Sequence, residues 1–322
     1  MKTSVVIPTY NSAKMIEATL NSVFSQTAPP DEILIMDDGS TDNTVSLLRR
    51  HIPRITLFEQ RNRGVATARN VLCQHAQGGL IAFLDHDDLW HPEYLATQQK
   101  MFTDHPDGGA FFTGHDNVVG LGDHNWMDRS DSPEGVEVIA ALDFIQQYHR
   151  AIGKFASMSF CCVPKSALTK LGPEPFCPEV NGVDDFYLFH TLMLLGSIVF
   201  NPKCLVAYRI TPGAQSASVL KSGEKIVRAM ELLEPHFRKQ CEPRLRKVLN
   251  AIFSSQRRQL GRMLMGVGQV DKARKQFRLS LKHSYNPISV TKSLVWLGLT
   301  SAPQRFQPKW PSQWKTFSSA AD

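Results

Sequence analysis

Two stretches decide the fold: Thr3-Ser-Val-Val-Ile-Pro-Thr-Tyr-Asn11, and Glu32-Ile-Leu-Ile-Met-Asp-Asp-Gly-Ser40. Each is an apolar run of strand length that stops abruptly at polar residues. Ser12 to Gln26 follows the first run and has helical spacing; another helix follows the second through Arg50. Ile55–Phe58 and Leu80–Leu84 repeat the strand pattern, with a helix over Val65–Ala76 between them. Strands of four to six residues alternating with helices of about a dozen predict βαβ units and a mostly parallel sheet. The strands are apolar throughout, as expected where helices cover both faces.

The polar residues collect where strands stop: Thr9-Tyr10-Asn11, then Asp37-Asp38, then Asp85-His86-Asp87-Asp88. In an open α/β sheet, ligands bind outside the carboxyl ends of the strands, so these three strand ends should meet in one crevice. No G-x-G-x-x-G follows the first strand and no phosphate loop of the G-x-x-x-x-G-K-[ST] type occurs anywhere. Any diphosphate in the crevice must be neutralised by something else. Asp85 and Asp87 offer hard oxygen ligands two residues apart, and Mg²⁺ or Mn²⁺ can join such carboxylates to phosphate oxygens. The same residues would also make a capped turn ahead of the helix that starts near Pro92. His86 and His91 are too unusually spaced for a ligand pair, and Cys161-Cys162 reads as core.

Composition sets the outer limits. The chain has 322 residues, 42% of them hydrophobic and 20% charged, which fits a folded protein with one large or two smaller domains. The longest apolar run, Leu192 to Phe200, is far short of the roughly 18 residues that span a bilayer. The N-terminus lacks the apolar core of a signal peptide, and the six cysteines form no C-x-x-C pair. Reduced thiols and a cytoplasmic setting are the expectation. The net charge of +6 conceals a polarity: residues 1–220 carry 16 Lys and Arg against 24 Asp and Glu, and residues 221–322 carry 20 against 6. An acidic first part argues against nucleic acid as a ligand.

Residues 106–220 are less regular. They hold a Gly/Asp/His-rich stretch at 107–135, a strand near 157–163, a helix from about Asp185 to Gly196 and a strand at 204–208. Beyond 220 only helices are expected, over Glu224–Lys239, Arg244–Met265, Val270–His283 and Ile288–Leu299, with breaks at Pro235, Pro243, Gly266/Gly268 and Pro287. The domains are therefore read as 1–220, with halves 1–105 and 106–220, and 221–322.

The motifs carry a resemblance. Ser4-Val-Val-Ile-Pro-Thr-Tyr-Asn11 and Asp31 to Thr44 look like the opening of a family 2 glycosyltransferase of GT-A fold. Asn62-x-Gly64-x-x-x-Ala68-Arg69-Asn70 resembles its next block, Ile81 to Pro92 its D-x-D segment, and Gly182-x-Asp184-Asp185-x-x-Leu188 its later acidic motif. The match covers roughly residues 3–210. It implies a GT-A sheet with an all-α C-terminal extension, and a metal-dependent inverting transfer of sugar from a nucleotide donor, UDP-sugar first, to a glycan or glycolipid. Surface polysaccharide assembly is the implied setting. By the same resemblance Pro8, Tyr10 and Asp38 hold the base, Arg69 lies near the nucleotide, Asp85 and Asp87 bracket ribose and metal, and Asp185 is the general base. Asp184, Asp88 and Arg209 are further candidates. One departure stands out: relatives often carry Arg-x-His where this chain has Arg209-Ile210-Thr211. The third ligand for the metal is then missing, supplied by water, or drawn from elsewhere in the chain.

Two alternatives stay open at this level. A catalytically idle relative could bind nucleotide or glycan as a partner subunit, and Asp184-Asp185 could simply cap a helix. In the basic tail, Ala273, Phe277 and Leu281 recur every four residues, while Lys272, Arg274, Lys275, Arg278 and Lys282 spread over the other faces. This is either a solvated helical cap or a surface for an anionic membrane or lipid-pyrophosphate acceptor, with Trp296, Trp310 and Trp314 at the interface or packed inside.

Overall fold

Val5, Val6 and Ile7 are fully buried at the centre of the first strand, β1 (Thr3–Thr9), on which the sheet is built. The computed structural model describes residues 2–120, 135–150, 154–155, 157–210, 219–284 and 286–301. The chain divides into two compact units, Met1–Ala214 and Gln215–Asp322. In the first unit β1 is followed by α1 (Ile16–Phe24), β2 (Glu32–Asp37), α2 (Thr44–Arg49), β3 (Thr56–Glu59), α3 (Val65–His75) and β4 (Leu80–Phe83). Then come β5 (Leu89–Trp90), α4 (Tyr94–Asp104), β6 (Gly108–Val119), β7 (Glu137–Ile139) and α5 (Ala141–Arg150). A 3-10 turn at Met158–Phe160 leads to β8 (Cys161–Pro164), α6 (Lys165–Lys170), α7 (Asp184–Leu192) and β9 (Ser197–Ile210).

The strand order is β3-β2-β1-β4-β8-β6-β9-β5, with β7 on β9. From β3 to β4 all pairings are parallel, as the alternating pattern predicts. β8 enters antiparallel between β4 and β6, while β6 and β9 run parallel. The sheet is thus mixed, and its parallel first half presents the carboxyl ends of β1, β2 and β4 side by side.

The second half corrects the reading of 107–135 as irregular over its first part; residues 121–134 lie outside the described residues. Gly108–Val119 is a twelve-residue strand, and β9 is a single strand rather than an apolar run plus 204–208. Of the described glycines in 107–135, Gly108, Gly109 and Gly114 are places of close approach, while Gly120 and Gly135 face open space. A Cβ on Gly114 would lie 2.5 Å from the Pro202 carbonyl oxygen, and the β6–β9 register shifts at that residue. Glycine in a strand interior marks this kind of bulge or contact, which only the partner strand reveals. α5 fills a stretch in which no element was expected.

In the second unit the helices are α8 (Val219–Gln240), α9 (Pro243–Gly266), α10 (Val270–Lys282) and α11 (Pro287–Leu299). α8 runs through Pro235 instead of breaking there. Pro235 sits on the exposed face, so the Glu231 carbonyl that loses its i+4 donor can turn to water, while Leu233 and Phe237 on the inner face stay buried. Ala273 and Phe277 are fully buried and Leu281 is half-buried, as the spacing predicted. Trp296 stacks on Phe277 with centroids 5.9 Å apart, so it packs; Trp310 and Trp314 lie outside the described residues. Among the described residues, no helix is long and apolar enough to cross a membrane.

Gly261 allows α9 to meet α10: a Cβ there would lie 2.6 Å from Phe277 Cε1. Gly261→Ala should therefore overpack this seam and lower stability by about 1–3 kcal/mol despite alanine's better helix propensity. Denaturant unfolding checks this; equal or higher stability would mean the seam can yield.

Candidate active site

The first two strand ends are tied together by short polar contacts. The Asp38 amide donates to the Thr9 carbonyl at 2.8 Å, and Asn11, at φ +48°, donates its amide to Ser40 Oγ (2.8 Å) and accepts at Oδ1 from the Thr41 amide (2.8 Å). Asp42 accepts from the Ala13 amide and from Thr44; burial works against its charge, but these bonds hold its carboxyl below the ordinary range. Pro8 is buried within β1, and Tyr10 is exposed at the mouth. Asp38 is buried and faces α3: Oδ1 accepts from Gln60 Nε2 (2.7 Å) and the Arg63 amide (2.8 Å), Oδ2 from the Gly64 amide (2.8 Å). Asp38 thus anchors the 60–64 loop, and of roughly four acceptor positions on a carboxylate it keeps about one.

Arg69 joins the remaining motifs. It lies on the inner face of α3, 5% exposed, and donates from Nη2 to Asp85 Oδ1 (2.5 Å) and from Nη1 to Asp184 Oδ2 (2.6 Å). Its guanidinium also lies 5.6 Å from the Phe176 ring. Burial disfavours its charge, yet Asp85, Asp184 and Asp185 outweigh that and hold it protonated well above the usual range. The Asp184 carboxylate completes its shell with the Gly182 amide at 3.0 Å. Asp184 is therefore engaged in an ion pair with Arg69, and the N-cap residue of α7 makes no side-chain cap bond. Asp85 takes a further bond from Ser157 Oγ at 3.3 Å, and its amide donates to Ser159 Oγ.

The turn after β4 is braced from two sides. Thr19 Oγ1 on α1 bonds the carbonyls of His86 (2.9 Å) and Asp88 (3.0 Å). The fully buried Asp88 accepts the Arg209 amide at 2.9 Å, locking this turn to β9. Asp87 takes no hydrogen bond from another residue among those described. Desolvation, with the Asp85 charge, pushes its carboxyl up, against the pull of His86 and Arg209. Asp88 is raised well above its ordinary value by burial and by Asp87 and Asp85.

Asp185, half-buried in the first turn of α7, has Oδ1 on the Phe186 amide at 2.7 Å. Burial and then Asp184 push its carboxyl up to about 7, with Arg69 pulling the other way. Two tyrosines that sequence reading missed share this field. Tyr208 on β9 has its phenol raised by burial and by Asp88, Asp85, Asp87 and Asp185; Tyr148 on α5 is raised by burial and by Asp185. Tyr208 reads as an ordinary strand aromatic, Tyr148 falls where no element was expected, and nothing local in the sequence marks either. Close by, His149 and His190 bring their Nε2 atoms to 3.2 Å, and burial holds both neutral, with pKa values near 4 and 3.

Among the described residues no three His, Cys, Asp or Glu side chains converge to hold a metal by themselves. The position of the absent histidine, Thr211, lies outside the described residues. The donor set still fits a divalent cation that binds with its substrate. Asp85, Asp184 and Asp185 act on the guanidinium of Arg69, Asp85 acts in turn on Asp87 and Asp88, and the guanidinium of Arg209 acts on Asp87. Asp87 takes no hydrogen bond from another residue among those described, and Mg²⁺ is usually bound by one or two carboxylates together with substrate phosphates.

Arg69→Met should leave the buried Asp184 and the half-buried Asp85 without their counter-ion. Breaking a buried pair in this way costs about 3–5 kcal/mol, so a large drop in unfolding midpoint is expected at neutral pH. A loss below about 1 kcal/mol in denaturant unfolding would show that the bridge is peripheral.

The glycosyl transferase family 2 model matches residues 4–165. The Bacillus subtilis protein TuaG, named for a glycosyltransferase role in teichuronic acid biosynthesis, is 38% identical over 246 residues, covering 73% of this chain and 90% of that one. Some other curated relatives are matched over a third or less of their own length. Among solved structures, residues 1–349 of S. aureus TarS in complex with UDP-GlcNAc align with a TM-score of 0.70 at 18% identity, over 96% of this chain and 93% of that one. The Pyrobaculum calidifontis mannosyltransferase PcManGT with GDP-Man and Mn²⁺ aligns at 0.56 and 20% identity, over 93% and 84%. The sheet is the GT-A-like fold of these structures, and with the first strands, the Asp85-x-Asp87 turn and β8 all inside the matched segment, this chain is a glycosyltransferase that belongs to glycosyl transferase family 2.

Proposed function

We propose that this chain transfers a sugar, with inversion, from a nucleoside diphosphate donor to a hydroxyl of a glycan or lipid-linked glycan, in the assembly of a surface polysaccharide. The observation that carries the reading is the Asp85–Arg69–Asp184 bridge. It ties the D-x-D turn to the start of α7, so a donor-side carboxylate and the Asp185 carboxylate are held in one frame. UDP-sugar is the first donor to test, in line with the UDP-GlcNAc complex of TarS; the setting follows the name of TuaG. The cytoplasm remains the proposed place of action, consistent with six free cysteines, with peripheral contact at the inner face of a membrane as the alternative.

In this reading Tyr10 at the mouth and Pro8 beneath it flank the base, and the one acceptor position left on Asp38 takes a ring N–H. Asp87, with Asp85 beside it, would hold Mn²⁺ or Mg²⁺, which when bound supplies positive charge to the diphosphate leaving group. Arg69 keeps Asp85 oriented. Arg209 adds positive charge beside Asp87 while its amide fixes Asp88. On the other side, Asp185 takes the proton of the acceptor hydroxyl as its oxygen forms the new bond to the sugar C1. The C1–O bond to the diphosphate breaks at the same time, and the electron pair leaves with the diphosphate. A base near pKa 7 matches this task, because at neutral pH it is partly ionised yet basic enough to accept the proton. General-base assistance is typically worth about 10²–10⁴-fold.

Asp185→Asn should reduce transfer by at least about 10²-fold while donor affinity, read by calorimetry with UDP-GlcNAc and Mn²⁺, changes little. Loss of donor binding would move Asp185 to the donor side. The base must be ionised to work, so wild-type kcat/KM should rise with pH through about 7 and level off above it; a profile flat from pH 5 to 9 contradicts the assignment. A chelator, or Asp87→Ala, should weaken both donor affinity and turnover. If wild type and Asp87→Ala show equally undetectable turnover with all common donors, the chain is a binding subunit rather than a catalyst.

A further inference from the structure

The second unit contains a cavity of about 550 Å³ between α8, α9 and α10, which the transfer reaction does not use. Its apolar wall is made by Phe237, Leu249, Phe253 and Leu279. Four cations line it: Arg238 from α8, Arg246 and Arg257 from α9, and Lys282 from α10. A single carboxylate, Glu234, faces them, and Arg238 already holds it at 2.6 Å. Arg257 is buried, 6% exposed, and fixed by Glu231 and Gln276 at 3.0 Å each, so its guanidinium cannot swing out to solvent. Arg246 donates only to the carbonyls of Arg238 and Cys241, and Lys282 forms no ion pair among the described residues. His283, also buried, is pinned by Asn250 at 3.1 Å and kept neutral by burial and by Arg257, Arg238 and Lys282.

We infer that this cavity binds a phosphate monoester whose uncharged body packs on the aromatic wall. The four lining cations less Glu234, and less Glu231 on Arg257, leave a net charge of about +2, which a monoester of roughly −1.5 to −2 at neutral pH compensates better than a single carboxylate. Arginine forks match phosphate oxygens in pairs, and the volume suits a ligand of sugar-phosphate size. Arg238, Arg246 and Lys282 are exposed at the rim of the pocket while Arg257 is buried beside the apolar wall, so cations and an apolar surface coincide in one concavity. The ligand chemistry could come from a phosphorylated sugar in solution or from a phosphomonoester lipid headgroup.

The test uses the full chain. Calorimetry measures glucose 6-phosphate against glucose, and sedimentation measures vesicles of phosphatidylcholine with and without phosphatidic acid. Each is repeated for Arg246→Glu/Lys282→Glu and for a control, Lys272→Glu/Lys292→Glu, whose exposed side chains lie outside the cavity. Folding of both variants is checked by circular dichroism. Binding of glucose 6-phosphate but not glucose, weakened at least tenfold in the first variant and retained in the control, supports a soluble phosphosugar. The same pattern with phosphatidic acid vesicles alone supports the headgroup. Equal weakening in the control, equal binding of glucose, or no response to either phosphate probe overturns the assignment.

Discussion

A guanidinium removed from water and gripped by two carboxylates from distant parts of the chain holds the catalytic unit in register. Arg69 sits on α3, Asp85 follows β4, and Asp184 opens α7, and the contacts of 2.5 and 2.6 Å bind all three into one piece. Such a bridge gives little net stability over an apolar core, because each charge gives up its hydration. Its value is geometric. It fixes the D-x-D turn and the start of α7 relative to each other with few alternatives, since losing either partner strands a buried charge. Asn181 adds a second tie between the same elements, accepting the Ala66 amide at 3.1 Å just before α7.

The rest of the site follows from crowding negative charge around that frame. Asp87, Asp88 and Asp185 are all pushed upward, and burial is the first cause for each. A field of this kind gives different carboxylates different tasks. Asp88 accepts a backbone amide and braces β9, Asp184 accepts Arg69, and Asp185 is left near neutrality with one oxygen on its own helix. Tyr208 enters the field from β9, so the late strand contributes to a site otherwise made by early ones.

The helical unit obeys a different logic. Its core is a seam of Leu260, Leu264, Ala273 and Phe277, made possible by the missing side chain at Gly261. Its positive charge is mostly displayed outward, but Arg238, Arg246, Arg257 and Lys282 gather around a concavity walled by Phe237, Leu249, Phe253 and Leu279, a convergence across three helices that the spacing along any one of them does not show.

Apolar strand runs alternating with helical spacing, each run ending in polar residues, determined the parallel half of the sheet and the convergence of its strand ends from the sequence alone. That pattern is local, set by burial on both faces of each strand, and so it can be read residue by residue. The motif residues at those ends were legible for the same reason. What only the tertiary structure decided are the partnerships across long separations: Arg69 with Asp184, 115 residues apart, Asp88 with the Arg209 amide, 121 apart, and β6 as a strand against β9. Gly114 looks like loop until the Pro202 carbonyl is seen where its Cβ would be, and Tyr208 looks like core until four carboxylates are found to share its field. Hydrophobic periodicity encodes which face of an element is buried; it carries no term for which distant charge that face will meet.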